Sequence, residues 1–333
     1  MKKAKKTVSV SKDRLERYHK DIDIIKKEIK KVFVGQEYIV NGLLRGILAN
    51  GHVLIEGLPG LAKTLVTRSI ASVSGCRFSR IQFTVDLLPT DITGITAYDQ
   101  RKGFYTVKGP IFANFVVADE INRAPPKTQS ALLEAMQEKQ VTIGRDTFTL
   151  EEPFFVIANN NPIESSGVYT LPESQLDRFL FKLKIGYPTE EEEQLILKQN
   201  MTLQKFEDFN LKPIMSPKRL IEMQQFVKSI HLNEEIEKYI IKLVNATRNP
   251  SNYSIKHGKY IEYGVSPRAS IGLYIASKAE ALLSGNAYVT PQHVKNVAPD
   301  VLRHRILLNY EGQAEGIKTE DIIKEILSRV PVP

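Results

Sequence analysis

The run Gly57-Leu58-Pro59-Gly60-Leu61-Ala62-Lys63-Thr64 sets two glycines, a lysine and a threonine at a spacing that can wrap a phosphate. Backbone N–H groups at a helix start form an anion site, and glycines let the chain turn closely around it. Lys63 can reach the outer phosphates as a point charge, and the Thr64 hydroxyl can ligate magnesium. The usual pattern has glycine before the lysine. Here it is Ala62, one methyl larger, which a turn in helical conformation tolerates. Taken alone, the loop can also be read as a glycine turn with a buried-stem lysine, the lesser of the two readings.

A second group completes the chemistry. Phe115-Val116-Val117-Ala118 is an apolar strand signal running into Asp119-Glu120. A carboxylate at that strand end, Asp119, can hold magnesium together with Thr64. A second carboxylate, Glu120, can orient and deprotonate an attacking water. An acidic strand end by itself reads as a helix cap; downstream of a phosphate loop it reads as the other half of an ATP-hydrolysing site. Another apolar run reaches Asn159-Asn160-Asn161-Pro162, where an amide could hold the water or the terminal phosphate, although Asn-Pro is also ordinary turn chemistry. Arg178 lies just before a strand. Arg268 lies at a helix start, after Ser266 as N-cap and Pro267 at the first helical position. Each arginine can be a surface ion pair or can neutralise charge on a transferring phosphoryl group.

Competing chemistries find no support in the residues. The six histidines are scattered and the one cysteine, Cys76, offers no metal or disulfide pairing. No Gly-x-Ser-x-Gly elbow and no Asn-Lys-x-Asp guanine-reading motif occur, so ATP is expected rather than GTP.

The elements around these residues follow from periodicity. Helical spacing covers Asp13 to Lys31, interrupted at Gly35, and Glu37 to Asn50, with Gly51 expected to end the second helix. Short apolar runs at 52–56, 80–83, 115–118, 154–158 and 179–183 read as buried parallel strands, and 63–74 as the helix after the loop. Gly94 to Lys108, turning near Lys102-Gly103, and Gln140 to Leu150, turning at Gly144-Arg145-Asp146, read as β-hairpins. Thr189 to Glu192 is a capping box whose acidic cluster is expected to be a solvated helix start. Beyond it come helices at 217–230, 233–248, 267–283, 291–305 and 319–330, with almost no strand signal. The fold class is therefore α/β: a first domain with a mainly parallel sheet around the phosphate loop, followed by a separate helical domain. The expected divisions are a basic tail at 1–12 without fixed structure, a nucleotide-binding core at 13–187 with the two hairpins inserted, and a lid at 188–333.

Bulk properties agree. The 333 residues are 42% hydrophobic and 25% charged, enough to bury a sizeable core. No apolar run approaches the roughly 18 residues that span a bilayer, and the basic start is not followed by a secretory apolar stretch. The single cysteine is compatible with a reducing cytoplasm, where the chain is expected to work. The net charge of +8 permits an acidic partner. Much of the excess sits near the start, however, and no basic-aromatic face suits single strands, so nucleic acid is not expected.

These motifs resemble the AAA+ ATPases, and among them the MoxR family. The resemblance rests on Gly57 to Thr64, on Ala118-Asp119-Glu120-Ile121-Asn122-Arg123-Ala124-Pro125-Pro126-Lys127-Thr128-Gln129 continuing to Glu138, and on Leu171-Pro172-Glu173-Ser174-Gln175-Leu176-Asp177-Arg178-Phe179. Ala62 is what this family tends to have. The resemblance implies that Asn161 is the sensor-1 residue, with Asn159 and Asn160 departing from the family's Ala-Thr-Gln-Asn-Pro. It implies that Arg178 is an arginine finger acting on ATP of a neighbouring subunit and that Arg268 is the sensor-2 residue of the lid. Val34-Gly35-Gln36 would line the adenine pocket. The implied fold is a P-loop NTPase with a three-layer αβα core followed by an all-α lid, and the implied cofactors are ATP and Mg2+. The implied partners are further copies in a homo-oligomeric ring, a hexamer, and a client or adaptor protein carrying a von Willebrand A domain, which the machine remodels or helps to load with metal. The hairpins would touch substrate or pack between subunits. Two other readings stay open on sequence alone: a nucleic-acid-dependent motor, and a nucleotide-gated scaffold with little turnover, against which Glu120 and Arg178 argue.

Overall fold

Continuous apolar runs form the middle of a sheet and alternating runs its edge, in the computed structural model that describes residues 11–57, 60–61, 63–101, 103–161, 169–198 and 206–333. Leu58, Pro59 and Ala62 of the loop, Lys102, Pro162 and residues 1–10 of the tail lie outside the described residues. Helices α1 (Lys12–Ile29) and α2 (Glu37–Leu48) precede β1 (Val53–Gly57), and α3 (Lys63–Val73) leads to β2 (Phe78–Gln82). A short α4 (Pro89–Thr93) opens the first hairpin, β3 (Gly94–Asp99) with β4 (Gly103–Lys108). Strand β5 (Phe115–Asp119) is followed by α5 (Pro126–Glu138) and the second hairpin, β6 (Gln140–Ile143) with β7 (Asp146–Thr149). Then come β8 (Phe155–Asn160), α6 (Glu173–Leu176), β9 (Phe181–Ile185) and α7 (Glu190–Lys198).

The five-stranded sheet has the order β2-β5-β8-β1-β9, and every pairing is parallel. Strand β5 is buried at all five positions, as a strand covered on both faces must be, whereas edge strand β9 alternates buried and partly exposed residues. Phe83, Phe154 and Phe179 fill a core with Ile92, Leu132 and Val156 on one side of the sheet. Helix α2 ends two residues earlier than expected. Its left-handed terminal residue is Asn50 (φ 54), not Gly51, because asparagine also tolerates that conformation.

Internal packing divides the chain into two units: Ile24–Ile221, and Glu222–Pro333 with the described part of Met1–Asp23. The boundary therefore lies later than the expected 187/188. Residues 206–215 pack with the first unit because Ile214 and Met215 donate to the Val73 carbonyl at 2.8 and 3.1 Å. Arg68 pairs with Glu207 at 2.7 Å and lies 4.1 Å over the Phe206 ring. The start of α1 belongs to the second unit, where Tyr18 meets Phe226 edge-on at 5.0 Å.

The second unit is helical: α8 (Pro217–Ser229, which begins in the first unit), α9 (Glu234–Arg248), α10 (Pro267–Leu283), α11 (Pro291–Leu302), α12 (Tyr310–Ala314) and α13 (Thr319–Arg329). It also carries a small antiparallel pair, β10 (Ile261–Tyr263) with β11 (Leu307–Leu308), too short to show a period in the sequence. Arg303 ties α11 to α13, bonding Asp300 at 2.6 Å and Glu320 at 3.0 Å. No helix among the described residues is long and apolar enough to cross a membrane.

His52, just before β1, fastens three elements. Its Nε2 meets the Met136 carbonyl of α5 at 3.1 Å and its Nδ1 accepts the Val156 N–H of β8 at 3.0 Å, which fixes the Nε2-protonated neutral tautomer. Burial pushes its pKa down to about 4. The unfolded chain takes up this proton near pH 6.5 and the folded chain does not, so the stability that neutral His52 supplies is complete above about pH 6.5 and drains as pH falls toward 4. The full loss is roughly 3 kcal/mol. Urea midpoints measured between pH 7 and 5 should fall more steeply for the wild type than for His52→Gln; parallel slopes would refute this role.

Candidate active site

Strands β5, β8 and β1 are neighbours running the same way, so their carboxyl ends open on one edge of the sheet, where open parallel sheets bind ligands. Register sets Gln82 beside Asp119 and Ile55 beside Asn159. A cleft of about 460 Å³ at this edge is lined by Gly60, Leu61, Lys63, Thr64 and Leu65, by Arg80, by Asp119 and Glu120, and by Asn159 and Asn161.

The loop is shaped by what glycine permits. A Cβ on Gly57 would lie 2.0 Å from Ile185 Cγ2 and 2.7 Å from the Ile185 carbonyl oxygen, so only glycine lets β1 end against β9 here. Gly60 adopts φ +82°, the left-handed region that glycine enters without strain. Lys63 opens α3, and its Nζ donates to the Gly57 carbonyl at 2.7 Å, which folds the ammonium back over the loop. Thr64 Oγ1 lies 3.5 Å from Asp119 Oδ2, a long contact that sets a hydroxyl opposite a carboxylate across the cleft.

The acidic pair is held by the Asn159 amide, two residues before Asn161, the amide to which the resemblance assigns a role. Asn159 Nδ2 donates to Asp119 Oδ1, while Asn159 Oδ1 accepts the Glu120 backbone N–H at 2.6 Å. Glu120 is left-handed (φ 55, ψ 51), a conformation that costs a non-glycine residue about 1 kcal/mol and that this bond helps to offset. The Glu120 carboxylate is engaged through Oε2, by Gln82 Nε2 at 2.8 Å and Arg123 Nη1 at 2.9 Å. Asp119 Oδ2 accepts Arg80 Nε at 2.8 Å and Nη2 at 2.5 Å. Asn161, the expected amide, is also buried in the cleft wall. Asn159 was obscured because which amide faces Asp119 depends on the β5–β8 register. Arg80 and Gln82 did carry a signal, being two apart on one strand and hence on one face.

The remaining expected residues lie elsewhere. Arg178 donates to the Leu133 carbonyl at 3.0 Å and lines a separate recess of about 290 Å³ with Gln175 and the α5 residues Ser130, Leu133, Glu134, Gln137 and Glu138. Arg268 is exposed in the first turn of α10, in the second unit, its N–H capped by Ser266 Oγ at 3.2 Å. Val34 and Gly35 lead into a left-handed Gln36, whose N–H donates to Glu192 Oε1 at 2.8 Å and whose amide donates to the Gly186 carbonyl at 3.0 Å. Glu192 also closes the expected capping box, its Oε2 accepting the Thr189 N–H at 3.0 Å. It is thus more than a solvated helix start: it clasps the 34–36 turn as well. No group of three or more histidine, cysteine or acidic side chains among the described residues could hold a metal unaided.

Residues 52–181 match the family model of the ATPase family associated with various cellular activities, and residues 256–326 match the AAA lid domain. The chain is 47% identical to chaperone MoxR1 of Mycobacterium tuberculosis, over 92% of this chain and 81% of that one. It belongs to the MoxR family of AAA ATPases. Protein MoxR of Paracoccus denitrificans is 31% identical over 91% of the chain and 93% of its own length. A solved structure described as a candidate ATPase from Cytophaga hutchinsonii superposes with a TM-score of 0.91 at 46% identity, covering 96% of this chain and 97% of that one. The MoxR-family assignment makes the chain an ATP-hydrolysing enzyme with an AAA core and a helical lid.

Replacing Asn159 by alanine strips one partner from each member of the acidic pair. The variant should lose roughly 1–3 kcal/mol of stability in denaturant titrations, and its ATP turnover should fall further than its nucleotide affinity. Unchanged turnover would show that the amide bridge has no part in positioning Glu120.

Proposed function

We propose that this MoxR ATPase binds ATP with Mg2+ in the cleft at the ends of β1, β5 and β8, and that neighbouring copies complete each other's sites in a hexameric ring. The observation that carries the reading is the convergence of Gly60, Lys63, Thr64, Asp119, Glu120 and Asn161 on one cleft. The oxygen donors suit magnesium, which takes one or two protein oxygens and fills its remaining positions from phosphates and water. Thr64 and Asp119 would hold the ion, which when bound neutralises charge on the phosphates.

The other roles fall to the chain's own groups. The N-terminal amides of α3 and the Lys63 ammonium bind the polyphosphate, the lysine exchanging its carbonyl partner for phosphate oxygens. Glu120 orients the attacking water and takes its proton. Its Oε1 has no hydrogen-bond partner among the described residues, which supports that assignment. Asn161 meets the terminal phosphate. Leu58, Pro59 and Ala62 complete the loop, and Val34, Gly35 and Gln36 border the adenine. Arg268 senses the phosphate from the lid. Arg178 serves as a finger toward a neighbour's ATP, a role supported by its position outside the cleft of its own chain.

The name of the M. tuberculosis relative, a chaperone, supports a reading in which hydrolysis remodels a client. Work in the cytoplasm, help with metal loading and a partner with a von Willebrand A domain are carried over from the family resemblance alone.

Glu120→Gln should bind nucleotide like the wild type and turn it over at least about 100-fold more slowly. Equal turnover would remove Glu120 as the base. Arg178→Ala should lose about 10³-fold in turnover. Mixing these two inactive variants should then regenerate activity, because some interfaces in a mixed ring pair an intact Glu120 with an intact Arg178. If no mixture exceeds either variant alone, Arg178 does not act between subunits.

A further inference from the structure

Arg80 occupies the place where a cation would meet Asp119. Its Nε and Nη2 both donate to Oδ2, the carboxylate oxygen that also faces Thr64 Oγ1, while Asn159 holds Oδ1. Nη2 is shared with Gln82 Oε1 at 2.8 Å. The two partners differ in their freedom to move. The Asp119 side chain is 12% exposed and that of Arg80 51% exposed, so the guanidinium can leave toward solvent while the carboxylate stays.

A carboxylate this deeply set is costly to leave without a counter-charge. A guanidinium supplies one at every physiological pH, because arginine does not deprotonate. Arg80 and a metal ion cannot share that oxygen, however, since two cations a few ångströms apart in a poorly solvated cleft repel strongly. We propose that Arg80 is a built-in counter-cation for Asp119, which the metal–nucleotide complex displaces, so that Arg80 sets the free magnesium concentration at which nucleotide is captured. The proposal rests on the reading of Thr64 and Asp119 as the metal-holding pair. It makes Arg80 a positioning residue that keeps the acidic strand end charged and in place until the metal arrives, and that raises the metal threshold for doing so.

The test is binding and does not depend on turnover. A fluorescent non-hydrolysable ATP analogue is titrated at fixed protein concentration against increasing free Mg2+, using the full chain as wild type, Arg80→Gln, Arg80→Lys and Asp119→Asn. Charge-assisted bonds of this kind contribute roughly tenfold in an equilibrium constant. The half-saturating Mg2+ should accordingly fall about tenfold in Arg80→Gln and by a smaller factor in Arg80→Lys, which keeps the charge but loses the paired N–H donors. Affinity at saturating Mg2+ should stay near that of the wild type. A half-saturating Mg2+ that is unchanged or raised in these variants overturns the proposal. So does loss of affinity at saturating Mg2+, which would make Arg80 a phosphate ligand. Should Arg80→Gln fail to fold, judged by its melting curve, Arg80→Lys decides in the same two ways. Asp119→Asn tests the underlying reading: it should raise the half-saturating Mg2+ or abolish the dependence. If it leaves the titration untouched, Asp119 is not the metal-holding residue and both readings fall together, whereas a shifted Asp119→Asn with unshifted Arg80 variants sinks the Arg80 proposal alone.

Discussion

Parallel register is the constraint on which the site depends. Because β2, β5, β8 and β1 run the same way in register, Gln82 lies beside Asp119, Ala118 beside Ala158, and Ile55 beside Asn159. Residues distant in the chain are thereby delivered to one edge at nearly one height. A slip of one residue in β8 would turn the Asn159 amide to the other face of the sheet and leave the Asp119 carboxylate and the Glu120 N–H without that partner. The apolar content of these strands is therefore part of the chemistry. Val116, Val117, Val156 and Ile157 are buried against helices on both faces, and any shift would cost that burial.

The same constraint explains the strained backbone at Glu120. A strand that continued straight would carry the second carboxylate away from the cleft on the alternate face. The left-handed residue directly after Asp119 turns the chain into the short 3-10 segment Ile121–Arg123, and the side-chain oxygen Oδ1 of Asn159 accepts the Glu120 N–H. Strain, amide bridge and acidic pair thus form one unit. The amide is asymmetric in its use: its NH2 group serves a carboxylate and its oxygen serves a backbone donor, an arrangement that aspartate at this position could not reproduce.

The legible parts of the sequence were those with strong local rules. Apolar runs marked all five sheet strands to within two residues or so, and glycines marked the loop and the turns of both hairpins, in the first of which Tyr98 faces Phe104 with both rings largely exposed. What could not be read depends on pairing between distant segments. Nothing local distinguishes Asn159 from Asn161. Nothing in Arg80 or Glu192 says that one meets Asp119 and the other clasps the turn at Gln36. The extent of the first packing unit beyond Pro188 was hidden for the same reason. The Glu190 helix start is a local signal, but the bonds that draw 206–215 to Val73, Arg68 and Glu28 are not. The left-handed residue after α2 was misplaced because glycine is only the commonest choice there, and Asn50 takes the position one residue earlier.

The electrostatics of the cleft add a last consequence. Each charged group to which a ligand role is proposed already has a protein partner: Lys63 the Gly57 carbonyl, Asp119 the Arg80 guanidinium and the Asn159 amide, Glu120 the Gln82 amide and Arg123. In such a cleft the charges are partnered before any ligand enters. If the proposed roles hold, binding exchanges these partners for ligand groups, and only the difference between old and new partners appears as affinity. An exchange of that kind is cheap to reverse. A machine that must release product and reset at every turnover is better served by partners that reclaim Lys63 and Asp119 when the phosphates depart than by a site left with bare charges. On the proposed roles of Lys63 and Asp119, pre-paired charges in this cleft would favour turnover over tight retention of nucleotide.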